Sequence, residues 1–164
     1  MSENVILRAK ELLSRASPLN TDCGRLCGKR CCGGEDVGME LLPGEETLSP
    51  MLDFGEEKNG IFVCRGECER KCRPYACMMF PLFPLAEETE NGLRITAVND
   101  LRAGRLCPIA NSRLLPSFYA AVRRSARILC ENDALKTYLL EKTEEYREIA
   151  RLNDLLTRAV RPDL

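Results

Sequence analysis

Eight of the ten cysteines in this chain fall into two tight groups, "CGRLCGKRCC" at 23–32 and "CRGECERKCRPYAC" at 64–77. Bringing that many sulfurs together restricts the backbone more than any apolar period elsewhere in the sequence. Four chemistries use such a pattern: a disulfide framework, a metal site, a redox centre, or a crowded core. At 164 residues the chain is long enough to bury an ordinary core. It therefore does not need the cross-links that stabilise very small secreted domains. The first 17 residues, "MSENVILRAKELLSRAS", are charged throughout and lack the apolar block of a signal peptide. No segment approaches the roughly 18 apolar residues of a membrane span. The expectation is a cytoplasmic protein that is not membrane-bound, in a compartment where clustered thiols more often bind metal or do redox chemistry than form disulfides.

Histidine is absent, which removes Cys-His nucleophile pairs, histidine general bases and Cys2His2 fingers. An all-thiolate site suits Zn2+ or an iron–sulfur (Fe–S) cluster, and ligand softness does not separate the two. If 64–77 were one helix, Cys64, Cys68 and Cys72 would form a row with sulfurs roughly 6 Å apart. They could not then all reach one zinc at about 2.3 Å. Pro74 opposes a continuous helix and pushes Arg73 towards an extended conformation. Metal binding thus requires irregular backbone, and both groups contain the glycine or proline to supply it.

The rest of the chain reads as α+β and mostly helical, a single domain over 1–164 with a cysteine-cluster region at 20–110 and a helical part at 111–160. Apolar residues at Val5, Ile6, Ala9, Leu12, Leu13 and Ala16 follow a helical period that starts near Ser2 and ends before Pro18. Residues 22–36 read as a loop rather than a helix, "VGMELL" as a short strand, "LPGEETLSPML" as a turn leading into a helical turn, and "GEEKNG" at 55–60 as an exposed turn. Asn91-Gly92 between alternating flanks predicts a small hairpin. Pro116 fits the first turn of a helix with Phe118, Tyr119, Val122 and Leu129 on one face. A further helix carries Leu135, Tyr138, Leu139, Tyr146 and Ile149 and extends through Leu155 and Leu156. The architecture expected is irregular cysteine loops and a hairpin packed on N- and C-terminal helices.

The pattern "CGRLCGKRCC", then "RPYACMMFPLFP", then a later "CP" resembles the zinc- or iron-chelating cysteine-cluster domain family (CxxCxxCC type), which also occurs in flagellin lysine N-methylases and in small bacterial proteins. Arg73, Pro74, Cys77, Phe80 and Pro81 fall on its RPxxCRxFP signature, with Met78 in place of the usual arginine. The opening spacing is one residue longer at two places than the commonest form. The resemblance covers about residues 20–110. It implies Cys23, Cys27, Cys31, Cys32, Cys64, Cys68, Cys77 and Cys107 as metal ligands, with Cys72 a possible replacement for Cys68. Eight thiolates suffice for two tetrahedral sites, or for one cluster and one zinc. Cys130 reads instead as an ordinary core residue in the middle of a helix.

The charge is nearly balanced, 24 basic to 25 acidic residues, with few aromatics and no tryptophan. Neither a nucleic-acid surface nor a membrane surface is indicated. Arg73, Arg102 and Arg105 adjoin cysteines and could offset the negative charge of a metal thiolate. Arg113, Arg123, Arg124 and Arg127 read as a solvated basic face, or as a surface for phosphate or an acidic partner. "MMFPLFP" reads as core or as an apolar wall beside the sulfurs, and Tyr75 as packing against the cysteine loop. Two functional classes follow: a metal-stabilised binding or accessory module with an undefined protein partner, and an Fe–S redox or methyl-transfer-type enzyme related to the flagellin methylases. No catalytic residue stands out.

Overall fold

The computed structural model describes residues 2–32, 38–48, 54–66 and 69–160, and for residue 2, residue 32 and residues 158–160 the backbone alone. Helix α1, Ser2–Ser14, follows the predicted apolar period. It presents Ile6, Ala9 and Leu13 to the core, each fully buried. Helix α5, Pro116–Leu129, opens with the proline at its first turn. It buries Phe118, Val122, Ala126 and Leu129 along one face, the spacing that a 3.6-residue period requires. The two helices pack against each other. Fully burying a side chain such as Phe118 stabilises the fold by roughly 1.5–3 kcal/mol.

The predicted hairpin is β4, Leu82–Thr89, and β5, Gly92–Asn99, paired antiparallel from Leu82 opposite Asn99 to Thr89 opposite Gly92. It lies against α5 and against helix α6, Asp133–Val160. Leu82, Ala86 and Ile95 join residues of α1, α5 and α6 in one core. The Ala86 amide donates to Thr143 Oγ1 at 2.9 Å, and the Thr143 hydroxyl donates to the Leu139 carbonyl at 2.8 Å. The hairpin is thereby tied to α6 through a buried hydroxyl.

A second, three-stranded sheet was only partly foreseen. Strand β1, Gly38–Glu40, lies within the expected "VGMELL" strand. The stretch read as an exposed turn is instead strand β2, Gly55–Lys58, paired with β3, Ile61–Cys64, in the order β1-β3-β2. The turn is confined to Asn59 and Gly60, both at positive φ (55° and 78°), the geometry that an Asn-Gly hairpin turn prefers. β2 is a charged strand with most of its length exposed, so it shows no alternating pattern. Residues 43–48 form the expected turn, and the helical turn assigned just beyond them lies outside the described residues.

The first cysteine segment also departs from expectation. Instead of a continuous loop it holds a short helix α2, Cys23–Cys27, and a 3-10 turn, Arg30–Cys32. The second segment is not one continuous helix: Cys64 ends β3, a 3-10 turn covers Arg70–Cys72, and helix α3 spans Tyr75–Met79. Arg73 is extended at φ −63°, ψ 147°, as the following proline dictates. Cys130 is not in the middle of a helix. It caps the C-terminus of α5 just before the chain turns into α6.

Candidate functional site

Asp22 sets up the first cysteine pair. Its backbone is extended and its Oδ1 accepts the Gly24 amide at 3.1 Å, which satisfies one of the donors left open at a helix start. Gly28 then ends α2 in the left-handed region at φ 61°, where a side chain would be strained. Between these caps Cys23 and Cys27 stand one helical turn apart and so share a side. Cys31 follows in the 3-10 turn.

Cys107 comes from a third segment, at the C-terminal end of helix α4, Ala103–Leu106. Its thiol lies within electrostatic reach of Cys27 and Cys23. Burial pushes the Cys107 thiol up, and those two sulfurs raise it further, since like charges oppose ionisation. Cys107 also borders a small apolar cluster of Met39, Phe80, Ala103 and Ala110, against which Cys31 and Cys77 pack as well. Five of the nine expected ligand positions, Cys23, Cys27, Cys31, Cys77 and Cys107, thus gather about one region. Phe80 is part of its apolar wall, as expected of "MMFPLFP".

Three arginines face this region. The Cys23 thiol is raised by burial, with Arg70 and Arg73 acting in the opposite direction. Arg70 is partly buried and its guanidinium is drawn down by that burial and by Arg73. Its hydrogen bond goes to the Ala16 carbonyl rather than to a carboxylate. Arg102 is held differently. Nε and Nη2 donate to the two oxygens of Asp100 at 3.0 and 2.7 Å. That bonding, with Cys77 and Glu40 nearby, keeps the guanidinium firmly charged.

The remaining cysteines have other surroundings. Cys64 packs against Leu41 and Phe62 and accepts the Gly66 amide at 3.4 Å. Cys72 is buried at the end of its 3-10 turn. Cys68 and the side chain of Cys32 lie outside the described residues. Cys130 packs against the main core, as the sequence suggested. Burial there pushes its thiol up to about 11, against the opposing pull of Lys136 and Arg127. Tyr75 is a correction. It lies fully within the main core, with its hydroxyl 3.0 Å from Ser125 Oγ on α5, rather than against the cysteine loops.

The donor chemistry suits a thiophilic metal: the described cysteines carry their sulfurs as thiols, and no imidazole competes with them. Among the described residues, however, no three Cys, Asp or Glu side chains are close enough together to hold a metal ion. Sequence reasoning missed Asp22 and Arg70. The first was legible in principle, since an Asp just before and a Gly just after "CGRLC" are helix-capping signals. The second was not, because only the fold brings Arg70 beside Cys23.

No helix among the described residues is long and apolar enough to cross a membrane. Compared with protein-family models, with curated proteins and with solved structures, the chain matches none.

Proposed function

We propose that the protein is a metal-stabilised accessory module of the cysteine-cluster type. Its thiolates would hold Zn2+ or an Fe–S cluster chiefly to fasten separate segments together. The observation that carries this reading is the convergence of Cys23, Cys27 and Cys107 from two distant segments. Two cationic side chains face them, and one of these, Arg70, is partly buried with a carbonyl for its partner. A partly buried guanidinium gains from nearby negative charge; Asp22 supplies some, and metal-bound thiolates would supply more. Cys31 and Cys77 on the adjoining apolar cluster extend the donor set. Cys32, Cys64, Cys68 and Cys72 complete the candidates by sequence spacing. When bound, the metal would act as a cross-link whose binding energy is folding energy.

The test is protein purified without oxygen and assayed for zinc, iron and acid-labile sulfide per chain, together with an absorption spectrum. Near-stoichiometric zinc with no visible band supports the structural module. Iron with sulfide and a broad band near about 400 nm would replace it with the redox or methyl-transfer reading. Absence of any bound metal from freshly isolated protein would overturn both.

A further inference from the structure

A cavity of about 290 Å³ lies between α6, the start of the hairpin and the 100–102 turn. Strand alternation separates it from the cysteine region: Met39 faces the cysteine-side cluster, and Glu40 faces the cavity. Its body is apolar and aromatic, built from Leu42, Met79, Phe83, Leu139 and Tyr146. Phe83 and Tyr146 form a stacked wall, centroids 5.1 Å apart with 16° between the rings. Tyr146 is fixed in place by its hydroxyl, which donates to the Asn99 carbonyl at 2.7 Å. This is a preformed apolar body near the small end of ligand-site sizes.

The polar lining is specific. Lys142 Nζ lies 2.8 Å from Glu40 Oε1 and 2.8 Å from Glu145 Oε2, so one ammonium sits between two carboxylates. That node carries net negative charge and has the Tyr138 ring beside it, with Nζ 5.7 Å from the centroid. Glu145, bonded to Lys142 through Oε2, also lines the cavity. Arg102, within electrostatic reach of Glu40, spends Nε and Nη2 on Asp100, and its Nη1 remains to donate. An ammonium acceptor and a carboxylate donor therefore both line an apolar cavity with room for a small molecule.

We infer that this cavity binds a small zwitterion with an apolar side chain, an α-amino acid of the leucine or methionine class. The apolar side chain lies along the Phe83–Tyr146 wall, the ammonium meets Glu145 and Glu40, and the carboxylate meets Arg102. A ligand bearing only one of the two charges leaves the other group facing it without a partner, and one lacking the apolar side chain leaves the cavity unfilled.

Three of the four tyrosines, Tyr75, Tyr138 and Tyr146, line the cavity, and tryptophan is absent. Tyrosine fluorescence of the protein as purified therefore reports on it directly, and calorimetry supplies a second readout. The probes are L-leucine, L-methionine, isopentylamine, 4-methylpentanoate and glycine. Saturable binding of leucine or methionine is expected, with the amine-only and acid-only analogues about tenfold weaker or more and glycine silent. Glu145→Gln, at an exposed position that leaves the Lys142–Glu40 pair in place, should bring leucine down to the level of 4-methylpentanoate. Ile149→Trp, at the half-exposed mouth, should abolish binding with the thermal transition unchanged. The inference is overturned if neither amino acid binds saturably, if isopentylamine binds as tightly as leucine, or if both variants bind like the wild type.

Discussion

Glu45 and Tyr75, 30 residues apart, are joined by a buried hydrogen bond in which the Tyr75 amide donates to Glu45 Oε1 at 2.7 Å. The same oxygen receives Lys10 Nζ at 3.0 Å, and Oε2 accepts the Leu42 amide at 3.1 Å. One fully buried carboxylate thus fixes α1, the 42–45 turn and the start of α3, the helix that carries Cys77. Removing it takes the acceptor from two buried amides and takes a buried carboxylate away from the Lys10 ammonium. Glu45→Ala should lower unfolding stability by about 3–5 kcal/mol, whereas Glu46→Ala next door, at an exposed position, should change it by less than about 0.5 kcal/mol. Denaturant titration of the two variants decides this, and equal effects would mean that Glu45 is not the anchor.

Thr143 makes a sharper test of the hairpin's attachment. Thr143→Val keeps the shape but leaves the buried Ala86 amide without an acceptor, at a cost of about 1–3 kcal/mol. Thr143→Ser retains the hydroxyl, so by denaturant titration it should recover most of that loss. If serine and valine are equally destabilised, packing rather than the hydrogen bond holds β4 to α6.

The elements legible in the sequence are those whose signals are local. Pro116 and the period through Leu129 specify α5, and Asn91-Gly92 specifies the β4–β5 turn. Residues 64–77 could be denied a continuous helix from Pro74 alone. What escaped depends on partners distant in the chain. β2 consists of charged residues and becomes a strand by pairing with β3, although Asn59-Gly60 carried the same turn signal as the other hairpin. α2 was hidden by its glycines, which suggest a loop until Asp22 and Gly28 are recognised as caps. In the site, spacing alone proposed the cysteines. The approach of Cys107 to Cys23 and Cys27, and of Arg70 to Cys23, is a product of tertiary structure. Tyr75 misled because its nearness to Cys77 in sequence suggested the loop, while its ring faces the core.

Cys130 predicts a pH dependence. Burial holds its thiol neutral and raises it to about 11 from an ordinary 9.0, so the folded chain binds this proton more tightly than the unfolded chain does. Its stabilising contribution is therefore complete below the ordinary value and is lost as the pH climbs towards 11. Between about pH 8 and about pH 11, reduced wild-type protein should lose more stability than Cys130→Ala, which has no proton to release there. Parallel stability–pH curves for the two would mean that the thiol titrates as it does in the unfolded chain.

The cysteine substitutions separate the proposed metal site from thiols that only pack. Cys27 and Cys107 lie with Cys23 in the region faced by Arg70, whereas Cys130 sits at the end of α5 against the main core. Cys27→Ser and Cys107→Ser should each lower the metal bound per chain and destabilise the protein by several kcal/mol, because lost binding energy is lost folding energy. Cys130→Ala should retain the full metal content. A strong chelator added to wild-type protein should reproduce the destabilisation of the serine variants and add little to it once they have lost their metal. Anaerobic metal analysis alongside thermal unfolding reads both effects. If the serine variants keep wild-type metal content and melt normally, Cys27 and Cys107 are not ligands. If Cys130→Ala loses a metal equivalent, the boundary between site and core must move to include α5, and the charge of Arg127 and Lys136 beside Cys130 would then belong to the site.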